Sequence, residues 1–187
     1  DVELECDICK GKRFKDEITA IKYNGVSIDM LLKMTVDDSI QFFRKYNQSK
    51  IVSKLLPLQS VGLGYVSLGQ SSNTLSGGEA QRIKLASFIG KGDQIEKTFF
   101  IFDEPTTGLH FHDVRKLLNT FDKLIRMGHS ILVIEHNLDM ISCADHIIDL
   151  GPEGGDKGGE VVAEGSPEEI IKNKNSYTGQ YLKSKII

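Results

Sequence analysis

No run of apolar residues in this chain approaches the roughly 18 that a membrane-spanning helix needs, although 40% of its 187 residues are hydrophobic. No secretory signal peptide is visible either, since the chain opens on Asp1, Val2 and Glu3. A starting Met is missing, which predicts a fragment or a processed piece. These absences argue against a secreted or membrane protein and predict a cytoplasmic one without a membrane partner.

The chain also lacks an excess of basic residues. Lys and Arg number 23 against 26 Asp and Glu, so the net charge is -3. Bulk charge therefore provides no argument for nucleic-acid binding, and any such contact has to be local. The cysteines, 3 in all and unevenly spaced, do not predict a disulfide framework, which again favours a reducing cytoplasm.

A Walker A loop, G-x-x-x-x-G-K-[ST], is missing as well. Gly11-Lys12 is followed by Arg13 and Gly90-Lys91 by Gly92, and neither pair follows a glycine at the required distance. That loop supplies the backbone N–H groups that cradle the α- and β-phosphates of a nucleotide. If the chain acts on a nucleotide, most of the binding must therefore come from elsewhere.

What the chain does contain is organised around residues 75–82, which read LSGGEAQR. Ser76 and Glu79 have the spacing of a capping box, which predicts a helix that runs to about residue 90. Gly77 and Gly78 leave the first turn bare, so its N–H groups and the positive end of the helix dipole are open to an anion. An ordinary capped helix is the alternative. A second box, at Ser166 and Glu169, shows that the motif alone does not decide between the two.

From here the pattern is α/β. Residues 98–102 form a continuous apolar run, which predicts a strand buried on both faces. An amphipathic helix follows over Val114–Ile125 and is closed by Gly128, and residues 130–134 predict a second buried strand. Strand, helix and strand at this spacing form a βαβ unit, so the two strands should be parallel.

Polar side chains follow both of these strands. Asp103 and Glu104 come directly after the first, and Glu135 and His136 come directly after the second. Parallel strands share one carboxyl edge, where open α/β sheets bind ligands, so these side chains should converge there. Paired carboxylates can hold Mg²⁺ or act as a base, and a histidine can reach a phosphate. The alternative is that polar residues simply terminate the strands.

The remaining elements carry no obvious chemistry. Short helices are predicted over residues 27–60, with Ser27 and Thr35 as caps. A short helix capped by Asn137 should bury Cys143 as a small apolar side chain. Residues 146–150 predict a further strand, and the glycine-rich segment 151–159 predicts a hairpin loop rather than a phosphate loop. A last short helix begins after Ser166, and the chain then ends in a polar tail.

Near the amino terminus, Cys6-Asp7-Ile8-Cys9 forms a C-x-x-C knuckle followed by basic residues. Zinc requires four ligands, and no histidine lies at finger-like spacing from Cys9. Three interpretations stay open: half of a zinc site whose other ligands precede residue 1, a redox pair, or an incidental pair. The basic cluster could contact phosphates locally, or it could form a solvated turn.

These motifs together resemble a known superfamily. Residues 75–82 look like the ABC ATPase signature, residues 99–104 resemble a Walker B strand, and His136 falls where the superfamily has its switch histidine. Finer details resemble the UvrA family, the damage-recognition ATPases of bacterial nucleotide excision repair. They lie in residues 103–110 (DEPTTGLH), 133–139 (VIEHNLD) and 148–155 (IDLGPEGG), and in residues 6–13 (CDICKGKR), which match half of that family's zinc module.

The resemblance implies roles for particular residues. Ser76, Gly77, Gly78 and Gln81 would face the γ-phosphate of an ATP held by another Walker A loop. Asp103 would help to hold Mg²⁺ through water. The catalytic residues would be Glu104, which polarises the attacking water, and His136, which bonds the γ-phosphate. The metal ligands Cys6 and Cys9 would form half of a Zn²⁺ site.

It also implies the organisation and the partners. The fold expected is an ABC-type α/β domain, in part, with a parallel sheet and flanking helices. The predicted boundaries are a zinc-module and basic segment at 1–26, a helical signature arm at 27–74 and the ATPase part at 75–187. The cofactors would be ATP, Mg²⁺ and Zn²⁺. The partners would be damaged duplex DNA, UvrB, a second copy of the full-length protein, and the missing Walker A-bearing segments.

Two other classes of function stay open at this point. A nucleotide-binding part of an ABC transporter shares the superfamily motifs, although Cys6, Cys9 and the segment Thr107–His110 argue against it. A non-enzymatic interaction module with the same fold is a further alternative, and the intact Asp103–Glu104 pair argues against that one.

Overall fold

A computed structural model of the chain describes residues 6–90, 96–153, 155 and 158–186. The chain forms two compact units, Asp1–Ile95 and Glu96–Ile187. Predicted site residues all fall within the described ranges, whereas Gly92 and Gly154 of the predicted turns lie outside them. The boundaries predicted at 26/27 and 74/75 stay predictions.

The first unit begins with small elements. The Cys6–Cys9 knuckle leads into helix α1 (Asp16–Thr19) and a hairpin that the sequence did not predict, β1 (Lys22–Tyr23) and β2 (Val26–Ser27). Asn24 and Gly25 make its turn with φ of 48° and 84°, as a two-residue hairpin turn with positive φ at both positions requires. Helix α2 (Ile28–Lys33) follows. Ser27 precedes it as predicted, but its hydroxyl donates to Asp29 at 2.5 Å rather than accepting from the backbone.

Two longer helices build the core of this unit. Helix α3 (Val36–Lys45) is capped by Thr35, which accepts from the Asp38 N–H at 3.1 Å as predicted, and α4 (Ser49–Ser60) packs against it. Their apolar faces meet in a cluster formed by Val36, Ile40, Phe43 and Val52.

Residues 63–69 then run beside the end of α2 and the start of α3, where the Leu68 N–H donates to the Met34 carbonyl at 3.0 Å. The Asp37 N–H donates to the Gly64 carbonyl at 2.9 Å. A Cβ at Gly64 would collide with the Asp37 carboxylate, which would have to move to make room for it. A single 3₁₀ turn (Ser72–Thr74) then leads into α5 (Gly77–Ile89), the predicted signature helix.

The second unit confirms the βαβ prediction. Strand β3 (Phe99–Asp103) and strand β4 (Ser130–Ile134) pair in parallel, in register from Phe99 with Ser130 to Asp103 with Ile134. Helix α6 (Phe111–Arg126) connects them. Gly128, at φ 89°, turns the chain back toward β4.

Burial on both faces is not observed for β3, nor is it for β4, where Leu132 and Ile134 are 43% and 56% exposed, and both predictions were wrong for the described residues. Phe102 is 5% exposed and its ring lies 4.9 Å from that of Phe121 on α6. Phe99 and Ile101, on the other face, are 61% and 62% exposed. The reason is that α6 covers one face, and no described element of this unit covers the other.

The rest of the second unit is an antiparallel hairpin with short helices. Strands β5 (Ile147–Gly151) and β6 (Glu160–Gly165) pair as the predicted hairpin. Helix α7 (Leu138–Ile141) is capped by the Asn137 side chain as predicted, and α8 (Pro167–Ile170) begins after Ser166. No helix in the described ranges is both long and apolar enough to cross a membrane.

Two predictions fail in this part of the chain. Cys143 is exposed rather than buried, because α7 ends at Ile141 and leaves it in the following turn. The polar tail is instead helix α9 (Tyr177–Ile186). Leu182 on this helix is fully buried against Ile147 and Ile170, and the Thr178 hydroxyl donates to the Asp149 carboxylate at 2.7 Å.

Candidate functional site

The amino terminus of α5 has the predicted cap. The Ser76 side chain accepts from the Glu79 N–H at 3.2 Å, and the Glu79 carboxylate accepts from the Ser76 N–H at 2.8 Å. Gly77 is exposed, its φ is not positive, and a Cβ placed on it would meet nothing within 4 Å. Nothing in the described chain therefore requires glycine at this position, whereas a ligand that approaches the bare turn would.

A second contact supports this turn, and sequence reasoning missed it. The Tyr65 hydroxyl donates to the other oxygen of the Glu79 carboxylate at 2.6 Å. Arg82, one turn further along α5 and fully buried, places Nη2 3.5 Å from the Tyr65 oxygen. The only sequence signal was a tyrosine after Gly64 in a segment read as a turn, and no periodic pattern links it to Glu79.

These contacts shift the pKa values of Glu79 and Tyr65 in opposite directions. The Tyr65 hydrogen bond, together with those from Ser76, holds the pKa of the Glu79 carboxyl below its usual value. Partial burial and the Glu79 carboxylate raise the pKa of the Tyr65 phenol. At neutral pH the carboxylate is therefore ionised and both of its oxygens accept hydrogen bonds within the first unit.

At the edge of the second unit, the bend after β3 carries Asp103 and Glu104. Glu104 has φ 45°, a left-handed conformation that costs a residue with a side chain about 1–2 kcal/mol. Its N–H donates to the Ile134 carbonyl at 2.9 Å, and its carbonyl accepts from the Thr107 N–H at 3.1 Å. The bend ends the ladder between β3 and β4 and lets the Glu104 side chain leave the strand direction.

Glu104 and His136 lie together, as the parallel strands predicted. The His136 Nδ1 atom is 3.7 Å from the Glu104 Oε1 atom, and both side chains are more than half exposed. This distance is too long for a hydrogen bond, so the two side chains lie next to each other without a direct hydrogen bond. An acceptor and a donor placed in this way can hold a polar ligand between them.

Glu135 lies between the two bends, and its carboxylate is directed at the backbone. One oxygen accepts from the Thr106 N–H at 2.9 Å and from the Thr106 hydroxyl. The other accepts from the N–H groups of His136 and Asn137, each at 3.0 Å. The sequence predicted that Glu135 would lie at this edge of the sheet, and the structure places it there with its carboxylate engaged by the protein.

The Cys6–Cys9 knuckle is a tight turn, in which the Lys10 N–H donates to the Cys6 carbonyl at 2.8 Å. The backbone N–H groups of Cys9 and Ile8 hold the pKa of the Cys6 thiol below its usual value, which favours the thiolate that zinc binds. The described residues contain no group of three or more His, Cys, Asp or Glu side chains able to hold a metal ion. The donor set thus fits half of a tetrahedral zinc site and no more.

Comparison with known proteins finds close relatives, although no family model matches the chain. The UvrABC system protein A of Clostridium acetobutylicum is 56% identical over 183 residues, 98% of this chain and 19% of that protein. The protein of the same name from Rickettsia prowazekii is 54% identical over 187 residues, 100% of this chain and 19% of that protein. The protein of the same name from Aquifex aeolicus is 54% identical over 182 residues, 97% of this chain and 19% of that protein.

The fold agrees with these relatives. The crystal structure of UvrA2 from Deinococcus radiodurans matches 97% of this chain with a TM-score of 0.81 and 38% sequence identity, and this chain covers 22% of that one. The chain thus spans about one fifth of the length of the proteins it matches. By sequence and by fold, over nearly all of its own length, it belongs to the UvrA family of ABC ATPases.

Proposed function

We propose that this chain supplies parts of the ATP sites of a UvrA-type DNA-repair ATPase. The observation that carries the proposal is the Glu104–His136 pair at adjacent tips of parallel strands, with Glu104 in a left-handed bend. Backbone strain of about 1–3 kcal/mol that the surrounding contacts sustain is typical of functional sites. The identity of the chain to UvrABC system proteins supports the same assignment.

In this proposal the second unit provides the hydrolytic groups. Glu104 accepts a hydrogen bond from the attacking water and orients it, and His136 donates to the γ-phosphate. Asp103 would help to hold the Mg²⁺ that accompanies ATP, and that ion would neutralise part of the phosphate charge. Phosphoryl transfer of this kind depends on positioning and charge stabilisation more than on covalent chemistry.

The first unit provides the signature turn. Ser76, Gly77 and Gly78 present the hydroxyl and N–H groups of the start of α5, and Gln81 lies one turn along the same helix. The N–H groups at the start of α5 and the dipole of this helix favour the negative charge of a γ-phosphate. The open space at Gly77 supports this assignment, because a side chain there would separate the phosphate from the backbone.

A Walker A loop is not part of the 187 residues, so the proposed ATP sites are composite. Another segment or another chain must hold the α- and β-phosphates. On the same basis the whole protein would bind damaged duplex DNA, pair with a second copy of itself and act with UvrB in nucleotide excision repair. The relatives' identity favours this over an ABC transporter, and the Cys6–Cys9 pair argues in the same direction.

Zinc binding is the finer part of the proposal. Cys6 and Cys9 would supply two thiolates to a Zn²⁺ ion completed by ligands outside this chain. The basic residues that follow, including Lys10 and Arg13, would then lie beside a rigid knuckle and could contact a nucleic-acid backbone locally.

ATP hydrolysis tests the proposal. The chain alone should hydrolyse no ATP, and addition of Walker A-bearing segments of a UvrA relative should produce hydrolysis that Glu104→Gln reduces at least about a hundredfold. Glu164→Gln, on the exposed side of β6, is the matched control and should leave the rate unchanged. Hydrolysis by the chain alone would contradict the composite site, and full activity of Glu104→Gln would contradict the assignment of Glu104.

A further inference from the structure

The Glu135 carboxylate has no acceptor site left for a ligand. An ionised carboxylate offers about four lone-pair sites, and here four hydrogen bonds use them, two from Thr106 and one each from the N–H groups of His136 and Asn137. A metal ion or a substrate proton at Glu135 would have to displace one of these donors. Although it lies at the ligand edge of the sheet, Glu135 is therefore not in a position to act as a metal ligand or a base.

What these bonds hold is the backbone on both sides of the proposed catalytic pair. Thr106 is two residues after Glu104, and between them lies Pro105, which is fully buried and restricts the backbone. The Glu104 N–H donates to the Ile134 carbonyl, one residue before Glu135. Two consecutive residues at the end of β4 therefore fix the bend of Glu104 from both sides.

The same carboxylate also fixes the bend that carries His136. Its second oxygen accepts from the N–H groups of His136 and Asn137, which closes that turn around the carboxylate. One side chain thus connects the two bends whose side chains face each other at 3.7 Å.

We propose that Glu135 is a positioning residue, which sets the geometry of Glu104 and His136 by clamping both bends through a single carboxylate. The inference rests on the function proposed above for that pair. A carboxylate is required because all of its partners are donors. An amide at this position would present an NH₂ group to N–H groups and leave at least one bend without an acceptor.

Amide hydrogen exchange and NMR chemical shifts of the chain itself test the clamp. In Glu135→Gln, the backbone N–H groups of Thr106, or those of His136 and Asn137, should exchange about tenfold to a hundredfold faster, as expected for loss of a hydrogen bond to a charged acceptor. The ring signals of His136 should shift, whereas those of His129 should not. Thr106→Val, which removes only the hydroxyl donor, should perturb Glu104 and leave the turn of His136 unchanged.

A residue that serves stability alone would behave differently. Its replacement would accelerate amide exchange across the whole unit and would leave the NMR signals of Glu104 and His136 in the folded state unchanged. That result would overturn the proposal. Glu164→Gln is the matched control, and it should change neither exchange nor shifts at the two bends.

A second measurement separates this inference from the proposed function. In the assembly completed with Walker A segments, Glu135→Gln should lower kcat at least about tenfold with little change in KM for ATP, as loss of positioning predicts. If Glu104→Gln abolishes hydrolysis and Glu135→Gln leaves kcat unchanged, the positioning role is overturned. If Glu104→Gln instead keeps full activity while the NMR results hold, the clamp stands and the assignment of Glu104 as a catalytic residue fails.

Discussion

Replacement of Gly77 by alanine separates a structural from a functional reason for the signature glycine. A Cβ at this position meets nothing within 4 Å, and the backbone φ is not positive. The substitution should therefore raise the free energy of unfolding by about 0.4–1 kcal/mol, because alanine has less conformational freedom to lose on folding. For a protein of this size, each kcal/mol of added stability raises Tm by about 2–4 °C.

The functional effect should have the opposite sign. A methyl group between the start of α5 and a phosphate would weaken at least one hydrogen bond from a backbone N–H group to the phosphate. A hydrogen bond to a charged acceptor contributes about 1.5–3 kcal/mol. ATP hydrolysis by the assembly completed with Walker A segments should then fall about tenfold or more. The two assays are guanidinium unfolding of the chain and steady-state hydrolysis by the assembly.

Gly108 is the matched control for stability. It too has open space around its Cβ position, but its φ is 75°, so Gly108→Ala should lower stability by about 1 kcal/mol through backbone strain. A loss of stability in Gly77→Ala would show that the glycine serves the fold. Unchanged hydrolysis would refute the argument that the open turn receives a phosphate.

Three further predictions concern other parts of the chain. Tyr65→Phe should move the pKa of Glu79 up toward its usual value, because the Tyr65 hydrogen bond is the largest cause of its depression. A carboxyl whose pKa is lower in the folded than in the unfolded state stabilises the fold above the unfolded-state pKa, and this stabilisation is lost as the pH falls through the folded-state pKa. The variant should therefore lose less stability on acidification than the original chain. Carboxyl ¹³C titration measures this, and an unchanged Glu79 pKa would contradict it. Zinc content, measured by atomic absorption, should be below one per chain at the Cys6–Cys9 knuckle and stoichiometric in a longer chain with an upstream C-x-x-C; tight binding by this chain alone would show that the ligands are misassigned. Phe102→Ala should lower the free energy of unfolding by about 3–5 kcal/mol and Phe99→Ala by about 0.5 kcal/mol or less, because only Phe102 is buried; equal losses in denaturant unfolding would contradict the one-sided packing of β3.

Sequence reasoning placed the strand tips correctly and did not determine what each side chain does there. Asp103, Glu104, Glu135 and His136 were expected at one edge of the sheet because parallel pairing follows from a strand, a helix and a strand in order. Glu104 and His136 do face each other, at 3.7 Å. Glu135 has the same residue type and the same kind of position as Glu104, yet its carboxylate binds backbone N–H groups, and no spacing rule distinguishes the two.

The failures have a common cause. The buried faces expected for β3, the buried Cys143 and the polar tail at residues 177–186 were all inferred from short stretches of sequence. Each depends on what packs against the stretch. Among the described elements, α6 packs against one face of β3, α7 ends before Cys143, and Leu182 joins an apolar cluster with Ile147 and Ile170.

The sequence by itself determined the order and type of the principal elements, the parallel pairing of β3 with β4, and the capping box at Ser76 and Glu79. These features follow from local periodicity, from capping residues and from chain connectivity, which neighbouring residues specify. Only the tertiary structure decided that Tyr65 bonds Glu79, that Glu135 bonds Thr106 in the neighbouring bend, and which face of β3 is covered. Those features depend on contacts between residues far apart in sequence, whose side-chain directions are set by packing.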